Sequence, residues 1–192
     1  MEQLSDTDLM ELVKQGDYCA FDELYKRYRG PISRFLFSLT WDQEMAEDCL
    51  QEVFFRLFQA RHRYQPTGKF STYVFQIAKN YYIGLRRKER NRSEKVSIVQ
   101  ERADGRSPLD SVLANERLDP EAHLMQEYRR WRIRRAIQML SEGQKLVFVM
   151  SHFEDMKYTE IAEVLQIPVG TVKSRMFKAV SSLRALLKEE MP

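Results

Sequence analysis

The chain has 192 residues, of which 43% are hydrophobic and 31% charged, and its formal net charge is +3. This length suits one or two small domains, and so small a net charge excludes a histone-like polycation. No apolar run approaches the roughly 18 residues that cross a bilayer, and the acidic, polar N-terminus is unlike a signal peptide.

Glycine is scarce and alternating β-patterns are few, so we expect an all-α protein. The three histidines (His62, His123 and His152) are scattered, and no CxxC pair occurs, so the sequence predicts no metal site and no cofactor. Cys19 and Cys49 lie far apart in helical patterns. We interpret them as reduced core thiols of a cytoplasmic protein.

Three amphipathic helices are predicted in the first third of the chain. The first spans residues 5–16 and the second residues 20–39, with a bend or break at Gly30-Pro31. The third spans residues 42–59 and carries a polar face beside its apolar stripe. A solvated surface explains that face as well as a binding site does; its residues are Asp48, Gln51, Glu52 and Phe55, with Arg56 one turn on.

Residues 63–92 combine a loop, a helix and a basic tail. Residues 65–69 (QPTGK) are turn formers, and Ser71 or Thr72 is the predicted cap of a helix that ends near Arg90. Six aromatic residues lie within 19 positions, and we expect at least half of them in the core. Cations follow: Arg86, Arg87, Lys88, Arg90 and Arg92. Aromatic rings among cations are what single-stranded DNA binding requires.

Residues 93–119 are polar and show no periodic apolar pattern, which indicates a linker whose simplest interpretation is a flexible tether.

The part of the chain after this linker predicts a helix-turn-helix. Helices are predicted from Pro120 to about Leu140 and from Ser141 onward. Residues 156–187 then form a short helix capped by Thr159, a turn at Pro168 and a long basic helix. Its first turns project Thr171, Lys173, Ser174, Phe177 and Lys178 outward.

The segment PVGTVKSR, which begins at Pro168 in the turn and continues into the second helix, resembles the last DNA-binding segment of bacterial RNA polymerase sigma factors. Two further stretches agree with the resemblance, AEDCLQEVFFRLFQA and the helix from Phe70 to Asn80. Together they resemble the extracytoplasmic-function (ECF) group, of the sigma-E type. The resemblance implies region 2 at residues 1–92, a linker at 93–119 and region 4 at 120–192, with the helix-turn-helix at 158–177.

The resemblance also implies site residues and partners. The −35 duplex is expected at Thr171, Lys173, Ser174, Phe177 and Lys178, with Arg175 on phosphate. A flipped base of the melted −10 element is expected at Tyr64, Phe75, Asn80 and the loop residues Thr67, Gly68 and Lys69, with Arg86 and Arg87 beside the strand. The clamp helices of core polymerase are expected at Asp48, Gln51, Glu52, Phe55 and Arg56. The polymerase flap and an anti-sigma factor are further implied partners, without direct membrane insertion.

Two other functions account for less of the sequence. An autonomous helix-turn-helix regulator accounts for residues 156–187 equally well, but not for the aromatic and basic helix beside the D-x-x-Q-E helix. An enzyme is disfavoured, because the sequence has no nucleophile–base pair, metal cluster or phosphate-binding glycine loop.

Overall fold

The computed structural model describes the backbone of residues 4–96 and 120–189 and the side chains of residues 4–92 and 125–188. Across these ranges the chain is helical, and no strand occurs in them, so the predicted all-α class is confirmed. A 3-10 helix spans Arg61–Arg63. The α-helices are α1 Asp6–Lys14, α2 Tyr18–Thr40, α3 Gln43–Gln59, α4 Phe70–Val96, α5 Pro120–Gln138, α6 Glu142–His152, α7 Tyr158–Leu165 and α8 Val169–Glu189.

The first three helices begin at short polar caps. Ser5 Oγ accepts the Asp8 N–H at 3.2 Å, while Asp17 and Asp42 cap α2 and α3 in the same way. Each cap satisfies a backbone donor that the helix itself leaves unpaired. The predicted starts of the first and third helices are therefore confirmed within a residue or two.

Of the predicted bend or break at Gly30-Pro31, the break is wrong and the bend stays a prediction. α2 continues through Pro31 as one 23-residue helix. A proline inside a helix removes one backbone hydrogen bond. Beyond it, Ile32, Phe35 and Leu36 are fully buried, so the packing of this face stabilises the helix past Pro31.

α1 to α4 enclose the core of the N-terminal half. The rings of Phe35 and Phe75 meet edge to face at 5.3 Å, and Tyr25 meets Phe54 at 4.7 Å. α4 begins at Phe70, so Ser71 and Thr72 lie in its first turn and not at its cap. Four of the six aromatic residues of residues 64–82 are buried, as expected: Tyr64, Phe70, Phe75 and Tyr82.

The C-terminal half is built on α8. Val172 is fully buried with Ile161 and Val147 of α7 and α6, whereas Ala179 and Leu183 pack with Ile137 of α5. Two predicted caps have different outcomes here. Ser141 caps α6 as expected. Thr159 does not cap α7, because that helix begins at Tyr158 with Lys157 as its cap.

The two cysteines have different environments. Cys49 is buried, and burial raises the pKa of its thiol to about 11, so it is held as a neutral core thiol. Cys19 is exposed, which makes its assignment to the core wrong. It lies one residue into α2, where the apolar stripe has not yet begun.

The two halves of the chain meet at a junction where buried apolar side chains of both halves form one cluster and polar contacts lie beside it. Lys145 Nζ donates to Gln138 Oε1 at 2.7 Å, and Gln138 Nε2 donates to the Leu39 carbonyl at 3.0 Å, which ties α6 and α5 to α2. Nearby, Arg34 of α2 lies 3.6 Å from Glu154, whose side chain is only 3% exposed. Glu154 Oε1 has no hydrogen-bond partner among the described residues.

Glu154 makes stability depend on pH. Burial raises the pKa of Glu154 to about 7, against a smaller opposing effect of Arg34; Asp155 and Glu160 line the same cleft. Because the folded pKa lies above the unfolded one, the protonated carboxyl is favoured on folding. Its stabilisation is present at low pH and is lost as pH rises through about 7.

We therefore expect the unfolding free energy to fall by about 1–3 kcal/mol between pH 5 and 8 through this group. Denaturant titrations of the wild type and of Glu154→Gln across that range measure it. The neutral amide should abolish the difference at high pH. Parallel pH curves for the two proteins would show that Glu154 is not the group responsible.

Candidate nucleic-acid interface

The first turns of α8 carry an exposed polar and basic surface, which is the surface expected to contact duplex DNA. Lys173, Ser174 and Lys178 are exposed, and the Phe177 side chain is 74% exposed although it is large and apolar. Thr171 is half-buried, and its carbonyl accepts a hydrogen bond from Ser174 Oγ at 3.0 Å. Val172 on the opposite face is fully buried, so one side of α8 packs in the core and the other side is exposed to solvent.

Arg175 lies on a different side of α8. Its guanidinium lies over Gly143 at the start of α6, so close that a side-chain carbon at Gly143 would approach it to 3.2 Å. Arg175 is half-buried there. The predicted phosphate contact of Arg175 would require this side chain to leave α6, unlike Lys173 and Lys178.

The predicted −10 residues lie in two different settings. Tyr64 is buried against the rings of Phe70 and Tyr73, at 5.7 and 5.1 Å, with Lys14 Nζ 5.8 Å from its centre. Phe75 is buried against Phe35 instead. Tyr73 and Phe75 are two residues apart on α4, so their side chains project from opposite sides of this helix.

Asn80 is exposed on α4, and the loop residues Thr67, Gly68 and Lys69 are exposed as well. Two helical turns separate Tyr73 from Asn80, which places them on the same side of α4. The side chains of Tyr64, Tyr73 and Asn80 therefore border one side of this helix. Phe75 has a packing role in this arrangement.

The loop is in contact with the helix-turn-helix. Lys69 Nζ donates to Glu160 Oε1 of α7 at 2.6 Å, and this bond raises the pKa of Lys69 and lowers that of Glu160. Gln76 Nε2 donates to the Glu163 carbonyl at 2.9 Å, and Thr72 Oγ1 is 3.4 Å from the Glu163 carboxylate. The two predicted DNA-binding segments thus meet through α4 and α7.

The basic end of α4 borders an open cleft of about 620 Å³. Arg86 and Arg87 are exposed there, and Arg86 pairs with Glu89 one turn on at 2.7 Å. The opposite wall is Glu142 at the start of α6. Arg87 is the more available of the two predicted cations, since Arg86 already has an acidic neighbour.

The polar face of α3 is exposed away from this junction. Asp48 and Gln51 are exposed, and Phe55 is 55% exposed. Glu52 and Arg56 form an ion pair at 2.7 Å, and the Arg56 guanidinium lies 4.8 Å from the centre of the Tyr81 ring. This face presents a carboxylate, an amide and an aromatic ring on one rigid helix.

Sequence reasoning missed the residues of the junction. Glu154, Glu160 and Glu163 are acids in helical or turn segments, and nothing in their local pattern marks them. Their partners lie 87 or more residues away along the chain. One residue of the junction has a local indication in the sequence. Gln138 is an amide at a position where the apolar period of α5 continues.

Within the described ranges no helix is long and apolar enough to cross a membrane. The same residues contain no group of histidines, cysteines and acids arranged to hold a metal ion.

Two family models match the chain. Sigma-70 region 2 matches residues 24–92 and sigma-70 region 4 matches residues 130–183, in that order along the chain. Together the matches contain α3, the loop and most of α4 in the first segment, and the helix-turn-helix in the second.

The chain belongs to the sigma-70 family. It is 29% identical over 197 residues to the RNA polymerase sigma-H factor of Pseudomonas aeruginosa, a match that covers 98% of this chain and 99% of that protein. It is also 29% identical over 182 residues to the ECF RNA polymerase sigma-E factor of Escherichia coli K12, covering 93% and 92%. This sigma factor therefore matches such relatives along nearly their full length.

Two solved structures share the fold of this sigma factor. CnrH, in complex with the cytosolic domain of CnrY, has a TM-score of 0.66 and 20% identity over 97% of this chain and 99% of that one. The sigma factor RpoE of Bartonella quintana, in complex with the anti-sigma factor NepR, has a TM-score of 0.64 and 20% identity over 89% and 98%. At this identity the likeness concerns the fold.

Proposed function

We propose that this sigma factor binds core RNA polymerase and directs it to specific promoters, reading the −35 duplex with α8 and the melted −10 strand with the loop and α4. The observation that carries the proposal is the exposed first half of α8, anchored by Val172 and presenting Lys173, Ser174 and Phe177. It is supported by membership of a family whose relatives are named as sigma factors of RNA polymerase.

At the −35 duplex, α8 enters the major groove with its first turns on the base edges. Lys173 and Lys178 carry compact ammonium groups rather than planar guanidinium groups, so they favour phosphate over bidentate guanine contacts. Phe177 offers an apolar surface that suits a thymine methyl group. Specificity then falls mainly on Thr171 and Ser174.

At the −10 element, an unpaired base is held beside α4. Asn80 supplies both a donor and an acceptor to the base edge, and the half-buried Tyr73, which packs against the buried Tyr64, supplies an aromatic wall. Arg87 lies two helical turns after Asn80 on the same side of α4 and is exposed. Lys69 reaches the strand only after it leaves Glu160.

The exposed face of α3 is proposed as the contact with the clamp helices of the polymerase. Asp48 and Gln51 would pair with basic and polar groups there, which determines register as well as affinity. The flap is proposed to meet region 4, and an anti-sigma factor to regulate the chain, since NepR binds the Bartonella RpoE. We place this non-enzymatic factor in the cytoplasm, where polymerase acts.

One pair of assays tests the function. The purified chain is mixed with core polymerase, and co-elution and run-off transcription from a genomic promoter library are measured. A sigma factor should bind core and bind promoters tightly only with it. Tight operator binding by the chain alone, with no association with core, would instead indicate an autonomous helix-turn-helix regulator.

Asn80→Ala tests the base pocket. Without the amide, promoter opening by holoenzyme should be about 5- to 150-fold slower, because a bidentate hydrogen bond to the flipped base is worth roughly 1–3 kcal/mol. Core affinity should be unchanged. Permanganate footprinting of melted thymines measures opening.

Asn91→Ala is the matched control, since Asn91 is an exposed amide about three turns further along α4. It should open promoters at the wild-type rate. An equal loss of core binding and opening in Asn80→Ala would count against the pocket.

A further inference from the structure

A large aromatic residue lies exposed at the start of α2 and has no part in the function described so far. Tyr18, the first residue of α2, is 70% exposed. Its ring stacks on Phe58 of α3 with 6.0 Å between centres and 22° between planes. The Arg61 guanidinium lies 4.1 Å from the centre of the same Phe58 ring. We call these three residues the Tyr18 platform.

The platform is held rigidly. Asp17 Oδ1 accepts the Cys19 and Ala20 N–H groups at 2.8 and 3.2 Å, which determines where α2 starts and hence where the Tyr18 ring lies. Arg61 Nη1 donates to the Phe58 carbonyl at 3.0 Å. A preformed aromatic surface loses little conformational entropy when a ligand stacks on it.

The platform continues into the proposed −10 site along the chain. Arg61 begins the 3-10 helix Arg61–Arg63, and Tyr64 and the loop follow at once. Lys14, four residues before Tyr18 in the chain, has its Nζ 5.8 Å from the centre of the Tyr64 ring, so the end of α1 lies beside Tyr64. A strand held at the loop would therefore meet Arg63 and Arg61 before it reached Tyr18.

The chemistry of this surface suits a nucleobase. Stacking on an exposed ring is available to every base, and neighbouring guanidinium groups neutralise the phosphates between bases. The nearest acid, Asp17, is already engaged with two backbone N–H groups, while Asp22 one turn further is exposed. The neighbouring Gln15 and Cys19 are exposed and not strongly apolar, so Tyr18 is not part of a broad apolar patch.

We propose that the Tyr18 platform stacks a second unpaired base of the melted promoter strand, next to the base held at the loop. This inference rests on the proposed function. The competing occupant is the polymerase itself, because Phe55 of the proposed clamp face lies one turn before Phe58 on α3. The test therefore has to separate nucleic-acid binding from core binding.

Holoenzyme assembled from core and full-length chain is titrated with premelted promoter DNA carrying an unpaired −10 strand, and core affinity is measured separately. Tyr18→Ala should weaken binding of the premelted DNA about 5- to 150-fold, the loss of one base stack. Tyr18→Phe keeps the ring and should bind as the wild type does. Neither variant should change core affinity.

Phe55→Ala is the matched control, an exposed ring on the neighbouring face, and should lower core affinity without changing DNA binding by assembled holoenzyme. The proposal is overturned if Tyr18→Ala binds premelted DNA normally, or if it lowers core affinity by the same factor as DNA binding, which would assign the ring to polymerase. If wild-type chain forms no holoenzyme at all, the proposed function itself fails and the platform with it.

Discussion

Replacing Lys173 by glutamate should weaken promoter binding by holoenzyme about 10- to 100-fold at fixed salt. The exposed ammonium group lies on the second turn of α8, and its loss removes a contact worth roughly 1–3 kcal/mol, while the new carboxylate repels the backbone. The logarithmic dependence of affinity on salt should become shallower by about 1, the signature of one lost phosphate contact.

Lys188→Glu provides the matched control. Lys188 is an exposed lysine on the same helix, near its C-terminal end and away from the recognition turns. This variant changes net charge equally and should leave both the affinity and the salt slope nearly as they are. A slope for Lys173→Glu equal to that of the wild type would remove Lys173 from the DNA face.

Reversing the charge of Asp48 should lower core-polymerase affinity about 30-fold or more. An interfacial charge pair that is broken costs about 2–5 kcal/mol, because the partner's charge is left unpaired. Asp48 is exposed on α3, so Asp48→Lys should change the unfolding free energy by less than about 0.5 kcal/mol. Competition between labelled wild type and variant for core measures the effect.

Asp22→Lys on α2 tests whether the loss is specific to the α3 face. Asp22 is exposed and its reversal makes the same change in net charge. It should compete for core as well as the wild type does. Equal losses in the two variants would indicate a general electrostatic effect rather than a docking surface.

The helices and their faces were predictable because their determinants are local. Helix caps can be recognised from residue type and position, as at Ser5, Asp42 and Ser141. Buried residues such as Val172 and Ile161 belong to apolar stripes with a helical period. The exposed face of α8 follows from the same period. The error at Pro31 shows the limit of local rules, since the burial of Phe35 and its neighbours overrides the cost of one missing hydrogen bond.

The arrangement of the candidate sites was less predictable. Phe75 and Tyr64 both lie in an aromatic-rich stretch, but only the packed structure shows that Phe75 meets Phe35 while Tyr64 meets Tyr73. The contact of Lys69 with Glu160 joins residues 91 positions apart. No periodicity reports such a pairing, because it depends on how two separately patterned units come together.

That contact has a consequence for how the loop is recruited. The Glu160 carboxylate belongs to the same molecule as Lys69, so its local concentration does not fall when the protein is diluted. A DNA strand that needs Lys69 has to displace an acid that is already in place. Dilution alone will leave the lysine occupied. If the loop binds DNA as proposed, a partner that draws α7 away from α4 would raise the loop's affinity for DNA without touching the loop.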